Sequence, residues 1–201
     1  MPSPSLSHPL VLTDWQSLYV MLGSSSAALT GLTFVVITIS AERGDLTGSA
    51  LARLTGLRVF ITPTAVHFCA ALWLSALMCI PGQTALTLAV LLAATGAAGL
   101  IYCAALLRRM LASSFGYNPF LSDWIWNAVL PVTGYLALAA TGLALPYEPA
   151  TCLYAVSGVV LLLLFIGIHN AWDVVVWITT ERHAHRERQR RGDGGPKGVS
   201  Q

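Results

Sequence analysis

The feature that most limits what this chain can fold into is the placement of its charges. No Asp, Glu, Lys or Arg occurs from Trp15 to Ala41, from Val59 to Leu107, from Trp124 to Tyr147 or from Pro149 to Trp172. The charges that exist sit in short clusters between these runs. Overall, 10% of the residues are charged and 55% are hydrophobic, where a soluble domain carries about 25% charged residues. This excludes an ordinary soluble globule, a disordered tail and a nucleic-acid binder. It predicts an all-α, polytopic membrane bundle, because about 20 apolar residues suffice to cross the hydrocarbon core. Lipid offers the backbone no hydrogen-bond partner, so such segments close their own bonds as helices. The alternating ten-residue strands of a barrel are absent.

Five segments meet the length requirement: Leu18 to Ser40, Val59 to Ile80, Thr84 to Leu107, Trp124 to Leu145 and Thr151 to Trp177. Pro81-Gly82 ends the second and Pro146 the fourth, while Ser122 or Asp123 is placed to cap the fourth. Residues 1–16 form a short exported tail, 17–180 the five-helix transmembrane domain, and 181–201 a basic tail, disordered toward its end.

Basic residues fix the expected orientation, since they collect on the cytoplasmic side. Arg43, Arg53 and Arg58 follow the first helix, Arg108 and Arg109 the third, and Arg182, Arg186, Arg188, Arg190, Arg191 and Lys197 the fifth. The tail before the first helix and the turns after the second and fourth carry none. Five helices with the N-terminus outside and the C-terminus inside satisfy every segment; four or six would not. No basic region or small-residue cleavage site precedes the first helix, which reads as an uncleaved anchor. The expected location is a bacterial-type inner (plasma) membrane. Trp15, Trp124, Trp126, Trp172 and Trp177 fall at helix edges as an interfacial belt, and Trp73 alone lies deep in a span.

The loops are less specific. Residues 41–58 read either as a surface helix carrying Leu46, Leu51, Leu54 and Leu57, or as a plain linker. Residues 108–122, with Met110, Phe115, Tyr117 and Phe120, read as interfacial. The arginine-rich tail either attracts anionic lipid or serves only as a topology signal. His183 and His185 have no companion ligands for a metal.

Polar groups inside spans are costly, so each is a candidate site. The topology puts His67 on the second helix, Asn127 on the fourth, and His169, Asn170 and Asp173 on the fifth in one inner-leaflet layer, with Tyr102 and Cys103 near it. His169 and Asp173 share a helix face, where a carboxylate can orient an imidazole. The pair could relay a proton, bind a cation or gate a cavity; it could equally be a hydrated structural pair. His67 heads a small and polar stripe with Thr64, Ala71 and Ser75, and Pro63 is expected in the first turn of its helix. On the first helix, Gly23, Ala27 and Gly31 repeat every four residues and permit close helix packing. Ser26, Thr30 and Thr33 form a hydroxyl stripe that either lines a pore or bonds its own backbone. Cys79 and Cys152 fall on the same side, where a disulfide is geometrically open to them; otherwise they are packed thiols.

No motif for a soluble enzyme is found, and no catalytic residue, cofactor or metal is expected. The chain is expected to associate with the lipid bilayer and with copies of itself. The leading functional expectation is a homo-oligomeric channel for an ion or small solute. The alternatives are a non-conducting accessory or scaffold subunit and a membrane haem protein using His67 and His169 as axial ligands.

Overall fold

The computed structural model describes residues 12–42, 50–112 and 124–193. A single 3-10 turn, Thr13–Trp15, leads into α1 (Gln16–Glu42). It is followed by α2 (Ala50–Met78), α3 (Ala85–Ala112), α4 (Leu130–Ala144) and α5 (Pro149–Asp193). A π turn, Ile125–Val129, runs without a break into α4. No strand element occurs among the described residues. The chain is therefore an all-α bundle of five helices.

Four helical segments, 13–36, 85–108, 125–144 and 149–173, are long and apolar enough to cross a membrane. In α2 the described apolar segment is Pro63–Met78. Large apolar side chains cover the outside of the bundle: Met21, Leu32, Phe34, Val90, Ile101, Leu136, Leu143, Phe165 and Ile168 are all exposed. Such a surface would drive association in water, whereas hydrocarbon solvates it directly. The helices are apolar all round because one face meets protein and the other meets lipid. The protein is thus a membrane protein by the chemistry of its surface.

The order in space differs from the order in sequence. The helix α5 occupies the centre, with α2 on one side and α4 on the other; α1 flanks α2, and α3 flanks α4. Neighbours run antiparallel, and contacts give the register. Gly23 meets Ser75 between α1 and α2. Phe68 fills the space left by Gly167 between α2 and α5. Gly134 faces Leu162 and Leu163 between α4 and α5, and Tyr135 lies on Gly99 between α4 and α3. Fully buried Tyr19, Phe68, Leu74, Leu92, Leu138, Val156, Leu163 and Ile166 form one core along the inward faces. Burial is greatest in α5 and least in α1 and α3.

The turns follow from their residues. Gly82 adopts φ of 68°, the left-handed region that a tight Pro-Gly turn requires. The buried amide of Gln83 donates to the carbonyl of Leu77 at 2.6 Å, serving the end of α2. Thr84 accepts from the backbone N–H of Thr87 at 3.2 Å, an N-cap for α3.

Three local expectations change. Residues from Ala50 onward belong to α2 itself, so Leu51, Leu54 and Leu57 lie on the same helix as His67 and not on a separate surface element. Pro63 therefore lies in the helix interior and not in the first turn. Helix α5 runs 45 residues to Asp193, about 67 Å at 1.5 Å per residue, well past its apolar part. The interfacial run 108–122 begins inside α3, which continues to Ala112; its remainder, the cap at Ser122 or Asp123, Arg43, Leu46 and residues 1–11 and 194–201 lie outside the described residues, as do the side chains of Arg53, Arg58, Met110, Trp177, His183, His185 and the tail arginines.

Candidate functional site

The polar residues predicted to share one layer come from α2, α5 and the π turn. Two inter-helix contacts set their relative levels. Phe68 against Gly167 places His67 level with the turn of α5 that holds Asn170, and Trp126 against His169 brings the π turn to the same end.

His67 is sealed inside the chain, with 1% of its surface exposed. Its Nδ1 lies 2.5 Å from the carbonyl oxygen of Pro63, one turn back. A carbonyl can only accept, so this contact puts the ring proton on Nδ1 and leaves Nε2 as a lone-pair acceptor. Nε2 is buried and has no partner. The ring of Tyr135 on α4 lies 6.0 Å away, tilted by 30°. Thr64, Ala71 and Ser75 are all buried on the same stripe, and Ser75 donates to the carbonyl of Ala71 at 2.8 Å. The stripe therefore faces protein, as its composition predicts.

Asn170 is 4% exposed, and neither its Oδ1 nor its Nδ2 has a partner. Three polar atoms of two side chains, Asn170 and His67, are thus unsatisfied inside an apolar bundle. Each such group costs about 1–3 kcal/mol of desolvation.

His169 and Asp173 form a second, more open group. Nδ1 of His169 lies 3.2 Å from Oδ2 of Asp173, and the two side chains are 30% and 43% exposed. The distance is that of an ion pair, but the Nδ1–H is not aimed along it, so no hydrogen bond forms in this arrangement. The indole of Trp126 stacks on the imidazole at 3.9 Å and 10°. Asn127 is half-buried beside it in the π turn. Tyr102 and Cys103 are half-buried and buried on α3.

The α1 patterns resolve residue by residue. Gly23 packs on Ser75 within the chain, at 3.2 Å from a built Cβ, whereas Ala27 is exposed and Gly31 has open space around it. Ser26 is fully buried, with its hydroxyl unpartnered. Thr30 and Thr33 donate to the carbonyls of Ser26 and Leu29, both at 2.8 Å. Cys79 and Cys152 are free thiols, half-buried and buried respectively, so no disulfide joins them in this structure. No group of three or more potential metal ligands occurs among the described residues.

Sequence reasoning passed over Trp126 and Tyr135. In the sequence Trp126 reads only as a member of the interfacial belt, because hydropathy gives no sign of which ring an aromatic stacks on. Its role appears only when the π turn aims it at α5. Compared with known protein families, with characterised proteins and with solved structures, the chain matches none of them.

Proposed function

We propose that the chain is a multi-pass protein of a bacterial-type plasma membrane, N-terminus outside and C-terminus inside, that assembles with copies of itself and passes an ion or small solute. The observation that carries this reading is the half-open group of His169, Asp173 and Trp126. A titratable pair in an otherwise apolar helix is expensive unless water or a solute reaches it. The two side chains are 30% and 43% exposed and lie at the end of the apolar segment 149–173, where interfacial water is near. Protonation of an imidazole next to a carboxylate changes the local charge, which is what a gate needs. The arginines at alternate helix ends support the orientation.

The test is flux in proteoliposomes that contain only the purified protein, between pH 5 and 8, after its absorbance spectrum is recorded. The expected result is flux that changes with pH and is altered in Asp173→Asn and His169→Ala while the bundle stays folded. A Soret band would favour the haem reading. The second reading, an accessory or scaffold subunit, draws on α1, where Gly23 is used within the chain and the Thr30 and Thr33 hydroxyls are occupied by backbone carbonyls. Absent flux and stable co-purification with another membrane protein would select it.

A further inference from the structure

The unsatisfied atoms of His67 and Asn170 have a geometric relation that the half-open group does not share. Phe68 against Gly167 fixes the level of α2 on α5. Asn170 follows Gly167 by three residues and Ile166 by four, so it lies on the same inward face as these two buried residues. His67 lies one turn before buried Ala71, on the inward face of α2, with Tyr135 of α4 to one side. Helical side chains lean toward their own N-terminus. In an antiparallel pair the two therefore lean toward each other: His67 leans along α2 toward the level of Asn170, and Asn170 leans back along α5 toward the level of Gly167.

Their chemistry is complementary to a single guest. Nε2 of His67 and Oδ1 of Asn170 accept; Nδ2 of Asn170 donates. A lone pair at Nε2 repels an anion, and neutral ligands alone compensate poorly for the hydration a cation would lose. A neutral molecule of water's size satisfies all three atoms by donating to Nε2 and Oδ1 and accepting from Nδ2. Buried waters commonly make about three hydrogen bonds to such otherwise unsatisfied groups.

We propose that His67 and Asn170 form a closed binding site for one water molecule at the centre of the α2–α4–α5 core. The site lies within a single chain, so it does not depend on the assembly or on conduction. Its residues hold the guest, and Tyr135 walls the α4 side.

The experiment is magnetisation transfer from water to side-chain nitrogens, by solid-state NMR of the ¹⁵N-labelled full chain in lipid bilayers. The expected result is a water contact at both the His67 imidazole and the Asn170 carboxamide. In Asn170→Leu the contact at His67 is lost; in Asn170→Gln, which keeps a carboxamide, it is retained. If Asn170→Leu fails to fold, His67→Gln supplies the same comparison through the contact at Asn170. Absence of water contact at both residues in the unmodified chain overturns the proposal. So does a direct His67–Asn170 hydrogen bond with no water signal. Flux plays no part in the readout, so failure of the conduit reading and failure of this site are separate results.

Discussion

Replacing Gly142 by alanine tests how α3 and α4 are held together. A Cβ built at Gly142 lies 2.6 Å from the backbone nitrogen of Ala93, 2.8 Å from the carbonyl oxygen of Ala89 and 3.0 Å from the Cα of Ala93. The contact is reciprocated at Gly96, whose Cβ would lie 2.6 Å from the backbone nitrogen of Ala139. All of these neighbours are main chain, so none can rotate away. Ordinary contact begins at 3.4 Å, so the helices must part locally by about 0.8 Å. A gap of that size forfeits a quarter to a half of each surrounding dispersion contact. Overpacking of this kind costs about 1–3 kcal/mol. Alanine recovers at most about 1 kcal/mol of helix propensity over glycine. With the full gain subtracted, a net loss of up to about 2 kcal/mol follows. The control is Gly158, where a Cβ meets nothing within 4 Å. Gly158→Ala should be neutral or stabilising by up to about 1 kcal/mol. Equilibrium unfolding in mixed micelles, followed by far-UV circular dichroism, measures both. If the two variants shift stability in the same direction by the same amount, backbone proximity is not what makes Gly142 necessary.

Three further outcomes can be checked by the same unfolding measurement. Gly82→Ala should lose about 1–2 kcal/mol, because φ of 68° is open to glycine and strained for alanine, and Gly82→Asn should recover part of the loss. Gln83→Leu should lose about 1 kcal/mol or more, since the carbonyl of Leu77 gives up a buried 2.6 Å hydrogen bond. Thr30→Val and Thr33→Val should each change stability by less than about 0.5 kcal/mol, because their hydroxyls only return to their own helix; a large change in flux in either variant would assign α1 to the conduit.

How much of this was readable in the sequence depends on which physical signal each feature left. The spans were readable because exclusion of charge is a strong constraint in hydrocarbon: Thr84 to Leu107 was expected where α3 covers Ala85–Ala112. Burial of Thr64, His67 and Ser75 was readable from a polar stripe that lipid would not solvate. The start of α2 was not, because Arg53 and Arg58 end an apolar run without ending a helix. The end of α5 was missed for the same reason: charges mark the membrane boundary, and a charged helix continues past it. Spatial order left no signal at all. With every helix apolar all round, no face announces its partner, so the central place of α5 emerges only from contacts such as Gly167 with Phe68. The candidate layer was half legible. Topology singles out its residues, but the burial of His67 and Asn170 and the half-open state of His169 and Asp173 depend on side-chain packing.

The π turn at Ile125–Val129 gives the fourth span two independent angular settings. A turn closed by i→i+5 bonds holds one residue more than an α turn, so the helical phase at its start is offset by about 100° from that of an uninterrupted helix. After the turn, the phase of α4 is dictated by Gly134 and Tyr135, which are committed to α5 and α3. Within the turn itself, the offset phase aims Trp126 onto the ring of His169. The extra residue works as a phase shifter: one segment can obey the packing of the bundle at one end and serve the polar group at the other.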